Sequence, residues 1–527
     1  MKFLEIGDKI SYSNIEKTER QKQNLMNIGK IASEFHKKAD TFTKGVEKSI
    51  DILKSGKHCI IIEVAHQPNF MPYYGVWKKA VFADYLAKLF NERGIPAVAL
   101  FGLVDQDIST SSFLYQNKIP FLSKKGYKNI GFKIKGKDKW KMWCKQPLPS
   151  KEDLKKFLEE VIPIYINSGL SPEDEDIALF KELFYDSYLN SKSFSDANSN
   201  FYSKVCNRTW NLNIVFFPYS FAQKKKIFLK EFEFLLSKSK QYIEIYNRKI
   251  EEKKITNLKI LPPNYVPFWY HCECEVKVRL EVNDEDYLEG VCLICGKKYV
   301  LEVGNLNEPD LNELITKISP EAVSRDLIFA IGLGTNVYVS GLGGGLIYGK
   351  VSNAYFEEWK FIKPLIVSYK SKDRYFSTIL SNAIVNLNNL EKMQNELQCA
   401  NNALQLIQKE QYKIKDKLKN LKEKLKSIAP NDKEFSIVLE QIKGINEQLK
   451  NLNIKKQKME AVLIKFDNIS RAINITSSIL DEFFSVGFNS IIKQWIIDLQ
   501  QNDFDIEHYI YLQTKGGKHG EKNDPEK

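Results

Sequence analysis

His66, Gln67 and Asn69 stand in one polar run, Ala65-His-Gln-Pro-Asn69, directly after the mostly apolar run 60–64. Farther along, the apolar run 96–101 leads to Val104-Asp-Gln-Asp107. An imidazole, amides and two carboxylates at the ends of two apolar runs are what a group-transfer reaction needs. The neutral ring can meet a phosphate or a developing oxyanion, and the carboxylates can hold an ammonium group or a magnesium ion. His66, Asp105 and Asp107 are therefore the catalytic candidates, with Gln67, Asn69 and Gln106 as binding residues beside them. Blander roles compete: Asp105 and Asp107 can cap a following helix, and His66 can be a satisfied buried ring.

A second chemistry lies in the cysteines. Of eight, four crowd into His271-Cys-Glu-Cys274 and Cys292-Leu-Ile-Cys295, around the alternating residues 277–282. Two thiolate knuckles separated by hairpin strands make a zinc ribbon, in which the metal replaces a core too small to fold alone. Cys274, Cys292 and Cys295 are three of the ligands. The fourth is Cys272, in a Cys-x-Cys knuckle, or His271, in a His-x-x-Cys knuckle. A full ligand set leaves no open position, so the zinc is expected to be structural.

A third group follows the ribbon. Ser319-Pro320 leads to Arg325, then Asn336-Val-Tyr338-Val runs into Gly341-Leu-Gly343-Gly344-Gly. Consecutive glycines after a strand let backbone amides approach a ligand, although the Gly-Lys-Ser/Thr of a Walker loop is absent. Arg325 can clamp a carboxylate or phosphate. Against this stand a tight packing turn for the glycines and a structural ion pair for the arginine.

These groups need a frame. Residues 60–107 read strand, turn, helix, strand, the unit of a parallel sheet whose ligands bind beyond the carboxyl ends of the strands. The expected fold is α/β, a Rossmann-like parallel-sheet core with helical insertions, a zinc-ribbon insertion and a C-terminal antiparallel coiled-coil hairpin. The expected divisions are a helical segment over 1–56, the first part of the core over 57–258 and the ribbon over 259–305. The core is completed over 306–383, with helices over 312–318 and 321–331. The coiled coil covers 384–475, since apolar residues from Leu390 to Ile428 and from Phe435 to Phe466 keep three-four spacing about a Pro-Asn-Asp turn. Gln411 and Lys456 are polar seam positions that can set its register. A helical segment over 476–513 and a disordered tail over 514–527 follow.

Bulk properties narrow the class. The chain has 527 residues, 43% hydrophobic and 27% charged, ordinary for a globular protein. No apolar run is long enough for a membrane span, and the first residues lack a signal peptide, so a cytoplasmic protein without membrane contact is expected. The net charge of +12 is spread along the chain, more like a solubilising surface than a nucleic-acid arm. The residues 133–143, basic and aromatic by turns, are expected to form an exposed hairpin rather than an RNA surface.

The order of motifs resembles the cysteine ligases of bacillithiol biosynthesis, the BshC family. The family's Gly-Gln-Gln-Pro-type turn and aromatic-Lys helix are similar to Ala65-His66-Gln67-Pro68 and Trp77-Lys78 here. Its Glu-Asp-His-Asp-type run is matched by Val104-Asp105-Gln106-Asp107. Its Ser-Pro-x4-Arg segment is matched by Ser319, Pro320 and Arg325, and its Tyr-Val-x-Gly strand-turn by Tyr338, Val339 and Gly341. The likeness runs from about residue 58 to 500. Three departures stand out: Leu342-Gly-Gly-Gly replaces Gly-Pro-Gly-Glu, a histidine beside Asp107 is missing, and the ribbon is extra. The resemblance implies a core like that of class I aminoacyl-tRNA synthetases and nucleotidyltransferases. It also implies an amide-forming ligase that joins a small carboxylic acid, such as cysteine, to an amine such as an amino sugar. ATP and magnesium would activate the acid. Lys78, Asn336, Gly343 and Gly344 join the binding candidates on this basis. The coiled coil itself suits a homodimer, or a monomer whose hairpin pairs only with itself. The alternative is a synthetase-like RNA- or tRNA-binding protein that uses the ribbon and the coiled coil. A scaffold is a blander third possibility.

Overall fold

The computed structural model describes residues 15–108, 114–134, 136–171, 173–256, 258–341, 344–368, 377–380, 390–430 and 432–501. Leu342, Gly343 and the tail expected over 514–527 lie outside the described residues. In chain order the first helices are α1 (Glu19–Lys38) and α2 (Lys44–Lys54). A capping box between Thr18 and Gln21 starts α1. The first parallel unit follows: β1 (Ile60–His66), α3 (Tyr74–Glu92) and β2 (Ala97–Leu103). A short hairpin, β3 (Gln116–Pro120) with β4 (Tyr127–Gly131), leads to α4 (Lys151–Ile166), α5 (Glu175–Leu189) and α6 (Phe194–Ser203). Next come β5 (Val215–Pro218), α7 (Tyr219–Lys224), α8 (Leu229–Ser237) and α9 (Ser239–Lys253).

The cysteine region contributes β6 (Tyr265–His271), β7 (Lys277–Val282), β8 (Leu288–Val291), β9 (Lys298–Leu301) and β10 (Ile318–Pro320). The α/β pattern then resumes with α10 (Ala322–Leu333), β11 (Val337–Ser340), α11 (Gly344–Glu358) and β12 (Leu365–Ser368). Two long helices, α12 (Leu390–Ser427) and α13 (Lys433–Ile473), precede α14 (Ile479–Ser485) and α15 (Phe488–Gln501).

Five strands form an all-parallel sheet in the order β12-β11-β1-β2-β5. Parallel strands are buried on both faces, which is why β1 and β2 read as nearly unbroken apolar runs. Glu63, 2% exposed in the middle of β1, is the exception. Helices α3 to α6, α14 and α15 pack on one face, and α1, α2 and α8 to α11 on the other. The helix after β1 and the helix after β11 thus lie on opposite faces. The adjacent ends of these two strands form the switch point at which doubly wound sheets open a crevice. Gly102 lets β2 accept a large neighbour, because a Cβ there would lie 2.2 Å from the Tyr219 ring.

Two expectations change. The segment 312–318 is not a helix: a 3-10 turn at Ile315–Lys317 gives way to β10. Pro320 disfavours the helical conformation in the residue before it, and β-branched Ile318 suits extended chain. As a result the ribbon sheet, ordered β10-β6-β7-β8-β9, takes its edge strand from beyond residue 305. The segment 133–143 is not a hairpin. It forms 3-10 turns at Gly136–Trp140 and Trp143–Lys145, and Trp143 is buried with its Nε1 donating to the Pro68 carbonyl at 2.7 Å. The C-terminal helical hairpin forms as expected, from α12 and α13, and its seam buries Ala400, Ile407, Val438, Ile445 and Leu452. Within it Gln411 Nε2 donates to Asn453 Oδ1 at 2.7 Å, whereas Lys456 turns aside to Glu460 at 3.6 Å. Among the described residues no helix is long and apolar enough to cross a membrane.

Candidate active site and metal centre

The carboxyl end of β1 delivers His66 into a turn fixed from several sides. Trp143 Nε1 and Asn198 Nδ2 both donate to the Pro68 carbonyl, at 2.7 and 2.9 Å. Val104 N donates to the His66 carbonyl at 2.9 Å, joining this turn to the one after β2. The turns also meet through side chains, since Gln67 Nε2 donates to Asp107 Oδ2 at 2.9 Å. Arg325, from the first turns of α10, reaches the same oxygen at 3.1 Å. Lys277, the first residue of β7, reaches Asp107 Oδ1 at 3.3 Å with its side chain 3% exposed. One carboxylate therefore ties the sheet edge, α10 and the ribbon together. Gly341 closes the third side: a Cβ there would stand 3.3 Å from Lys79 Nζ.

The charges are unequal. Burial pushes the Asp107 carboxyl up, but Arg325 and Lys277 overcome it and hold the group below the usual carboxylate range. Burial raises Asp326 to about 7, against the pull of Arg325, and raises Glu63 to about 7, against hydrogen bonds from Thr335 and Tyr219. Burial lowers Lys79 to about 8. His66 falls to about 3 through burial, then through Lys79. Its Nδ1 lies 2.8 Å from the Gln67 carbonyl, so Nδ1 carries the proton and Nε2 is the acceptor of a neutral ring. Near neutral pH two cationic side chains, Arg325 and Lys277, thus flank one firmly ionised carboxylate, and Lys79 stands by His66 and Gly341. Asn69 adds a buried Oδ1 that has no partner among the described residues.

Asp105 faces elsewhere. Its carboxylate accepts the Ser220 backbone N–H at 2.9 Å and the Ser220 hydroxyl, which caps the start of α7. Burial nevertheless raises it to about 6, against those hydrogen bonds. Gln106 pairs with Gln223, which in turn donates to the Ile315 carbonyl at 2.7 Å. Asp105 and Asp107 therefore spend their oxygens on different partners and do not form the pair of open carboxylates that a magnesium ion would need.

At the ribbon, Cys272, Cys274, Cys292 and Cys295 place their sulfurs within 4.8 Å of one another. Neighbouring sulfurs stand 3.2 to 3.5 Å apart. A tetrahedral zinc with thiolates at about 2.3 Å has sulfur edges of about 3.8 Å, so the four residues fit a metal such as zinc. The Tyr299 hydroxyl donates to Cys272 Sγ at 3.0 Å, the outer-shell support such ligands usually have. The group closes with Cys272 and not His271, whose ring lines a neighbouring cleft.

The structure therefore brings together His66, Gln67, Asp107, Arg325 and Gly341, with Asn69 in the same turn. Tyr338 lies beneath them, opposite Glu63 in the sheet and within electrostatic reach of Asp326 and Arg325. Gly344 is the first residue of α11. Three candidates lie apart. Lys78 packs between the Tyr74 and Trp495 rings, at 4.6 and 5.0 Å, on the helix face turned from Gly341. Asn336 sits at the amino end of β11, where its Oδ1 accepts from Ile61 N and Lys17 Nζ. Ser319 is in β10 opposite Trp269, and its buried hydroxyl has no partner among the described residues. Sequence reasoning missed Lys79, Lys277, Glu63 and Asp326. A carboxylate in the middle of an otherwise apolar strand was the available signal for Glu63. An acid beside Arg325 was the signal for Asp326.

No family model matches this chain, and no curated protein matches it. Among solved structures, that of a proposed arginyl-tRNA synthetase from Campylobacter jejuni is 12% identical and covers 90% of this chain and 96% of its own. Its TM-score is 0.22, a likeness too slight to carry an argument.

Proposed function

We propose that the chain is an amide-forming ligase of the kind its motifs resemble. It would seat the anionic group of a small amino acid at the switch point and join the activated acid to an amine. One observation carries this reading: Arg325 and Lys277 meet a single ionised carboxylate at the carboxyl edge of a doubly wound sheet, and Lys79 adds a third cation beside His66 and Gly341. Such an excess of buried positive charge favours a carboxylate or phosphate ligand. In this scheme Arg325 and Lys277, held apart by Asp107, bind and orient the anion. Neutral His66 offers Nε2 to a polar hydrogen of the substrate and orients it. Lys79, lowered by burial to about 8, moves the proton as the amine attacks. The four cysteines hold a structural zinc that anchors β7 and so places Lys277. ATP serves as substrate: the carboxylate attacks its α-phosphorus, pyrophosphate leaves, and the amine then displaces AMP.

The test is amino-acid-dependent exchange of labelled pyrophosphate into ATP, with cysteine in the panel, on zinc-loaded protein. Exchange with one amino acid and its loss in Lys79→Met support the reading. Purified protein that binds neither nucleotide nor any amino acid in calorimetry ends it.

A further inference from the structure

On the far side of Asp105 and Gln106 lies a cleft of about 610 Å³. Its floor is the carboxyl edge of β2 and β5, and the Cys272 knuckle with His271 forms its roof. One wall is the start of α6, where Ser193 caps the helix by accepting from Asp196 N at 3.1 Å. Clefts of 300–1,000 Å³ are the usual size for small-molecule sites. Asp107, Arg325 and Lys79 do not line this one, so it is separate from the switch-point cluster.

Its charges do not cancel internally. Five lysines line it. Lys38 is held by Asp196 at 2.6 Å and Lys145 lies 3.8 Å from Glu275. The ammonium groups of Lys192, Lys224 and Lys317 form no ion pair among the described residues, although the Lys192 backbone N–H donates to Asp196 Oδ2 at 2.9 Å. Of the cleft's acids, Asp105 is spent on Ser220, and Glu273 turns to Lys297 at 2.6 Å. The His271 Nε2 is buried and has no hydrogen-bond partner among the described residues. A buried polar atom is almost always satisfied, so an orphan facing a basic cleft marks where a ligand atom belongs. The amides at the start of ten-residue α6 favour the same sign of charge.

We propose that this cleft is a second binding site, for a phosphorylated small molecule of sugar-phosphate to mononucleotide size. Lys192, Lys224 and Lys317 take the phosphate at the mouth, and His271 meets a polar group deeper in. Inorganic pyrophosphate is the probe, titrated calorimetrically into zinc-loaded full-length protein. A Lys192→Ala/Lys224→Ala double variant, which changes only exposed side chains, should bind it about tenfold more weakly or worse, with its unfolding midpoint unchanged. Lys79→Met, at the switch point, should bind it within about twofold of the parent. Absence of saturable binding overturns the proposal. So does binding that survives the double variant, or binding that Lys79→Met weakens as much, since the anion would then sit at the switch point.

Discussion

Replacing Asp107 by asparagine removes a charge and keeps the shape. Lys277 Nζ lies 3.3 Å and Arg325 Nη1 3.1 Å from this carboxylate, with side chains 3% and 17% exposed. Removing one partner of a buried pair costs about 3–5 kcal/mol, because the charge left behind is uncompensated. The asparagine keeps one oxygen able to accept from Gln67 or Arg325. The expected loss is therefore about 3 kcal/mol, roughly two powers of ten in the unfolding equilibrium. The dependence on pH has a definite sign. Burial would raise this carboxyl, but Arg325 and Lys277 hold it below its ordinary value. Its contribution is complete above about pH 4 and is lost as pH falls through the folded value. Urea denaturation followed by tryptophan fluorescence should show the full difference between parent and Asp107→Asn at pH 7 and a smaller one at pH 3. A difference below about 1 kcal/mol at pH 7, or one that grows on acidification, would refute the buried-pair reasoning.

Glu63 should behave in the opposite way. Burial lifts it from 4.5 to about 7, so its ionised form costs the fold about 3 kcal/mol above pH 7 and nothing below pH 4.5. Glu63→Gln should thus raise thermal stability at pH 8 and leave it unchanged at pH 4.5. Elemental analysis of the purified chain should find one zinc, lost in Cys274→Ser and retained in His271→Ala. Lys79→Met should weaken amino-acid or nucleotide binding about tenfold. Lys78→Met should leave binding intact and cost about 1 kcal/mol of stability, through the Tyr74 and Trp495 rings.

Unbroken apolar runs and the polar turns that end them made β1, β2 and β11 legible before any coordinates. The cysteine spacing did the same for the thiolate group, although the choice between Cys272 and His271 needed the sulfur positions. What stayed hidden is mostly a matter of direction. Adjacent helix residues point about 100° apart, so the lysine that faces the glycine turn is Lys79 and not Lys78. Asn336 and Gly341 are close in sequence but sit at opposite ends of one strand. Lys277 looked like one polar residue of an alternating hairpin, and only the docking of the ribbon against the sheet edge sets it on Asp107. Asp105 shows that a neighbour two positions away can be a helix cap.

The turn that carries His66 is completed from very far along the chain. The Ser478 hydroxyl donates to the Met71 carbonyl at 2.7 Å across 407 positions, and Ile479 N donates to the Pro72 carbonyl at 3.0 Å. During synthesis β1 and β2 can pair early, yet their shared crevice lacks its clasp until the segment beyond the helical hairpin has emerged. At 5–20 residues per second that interval is on the order of 20–80 s. Until then the turn after β1 lacks the two hydrogen bonds that Ser478 and Ile479 supply.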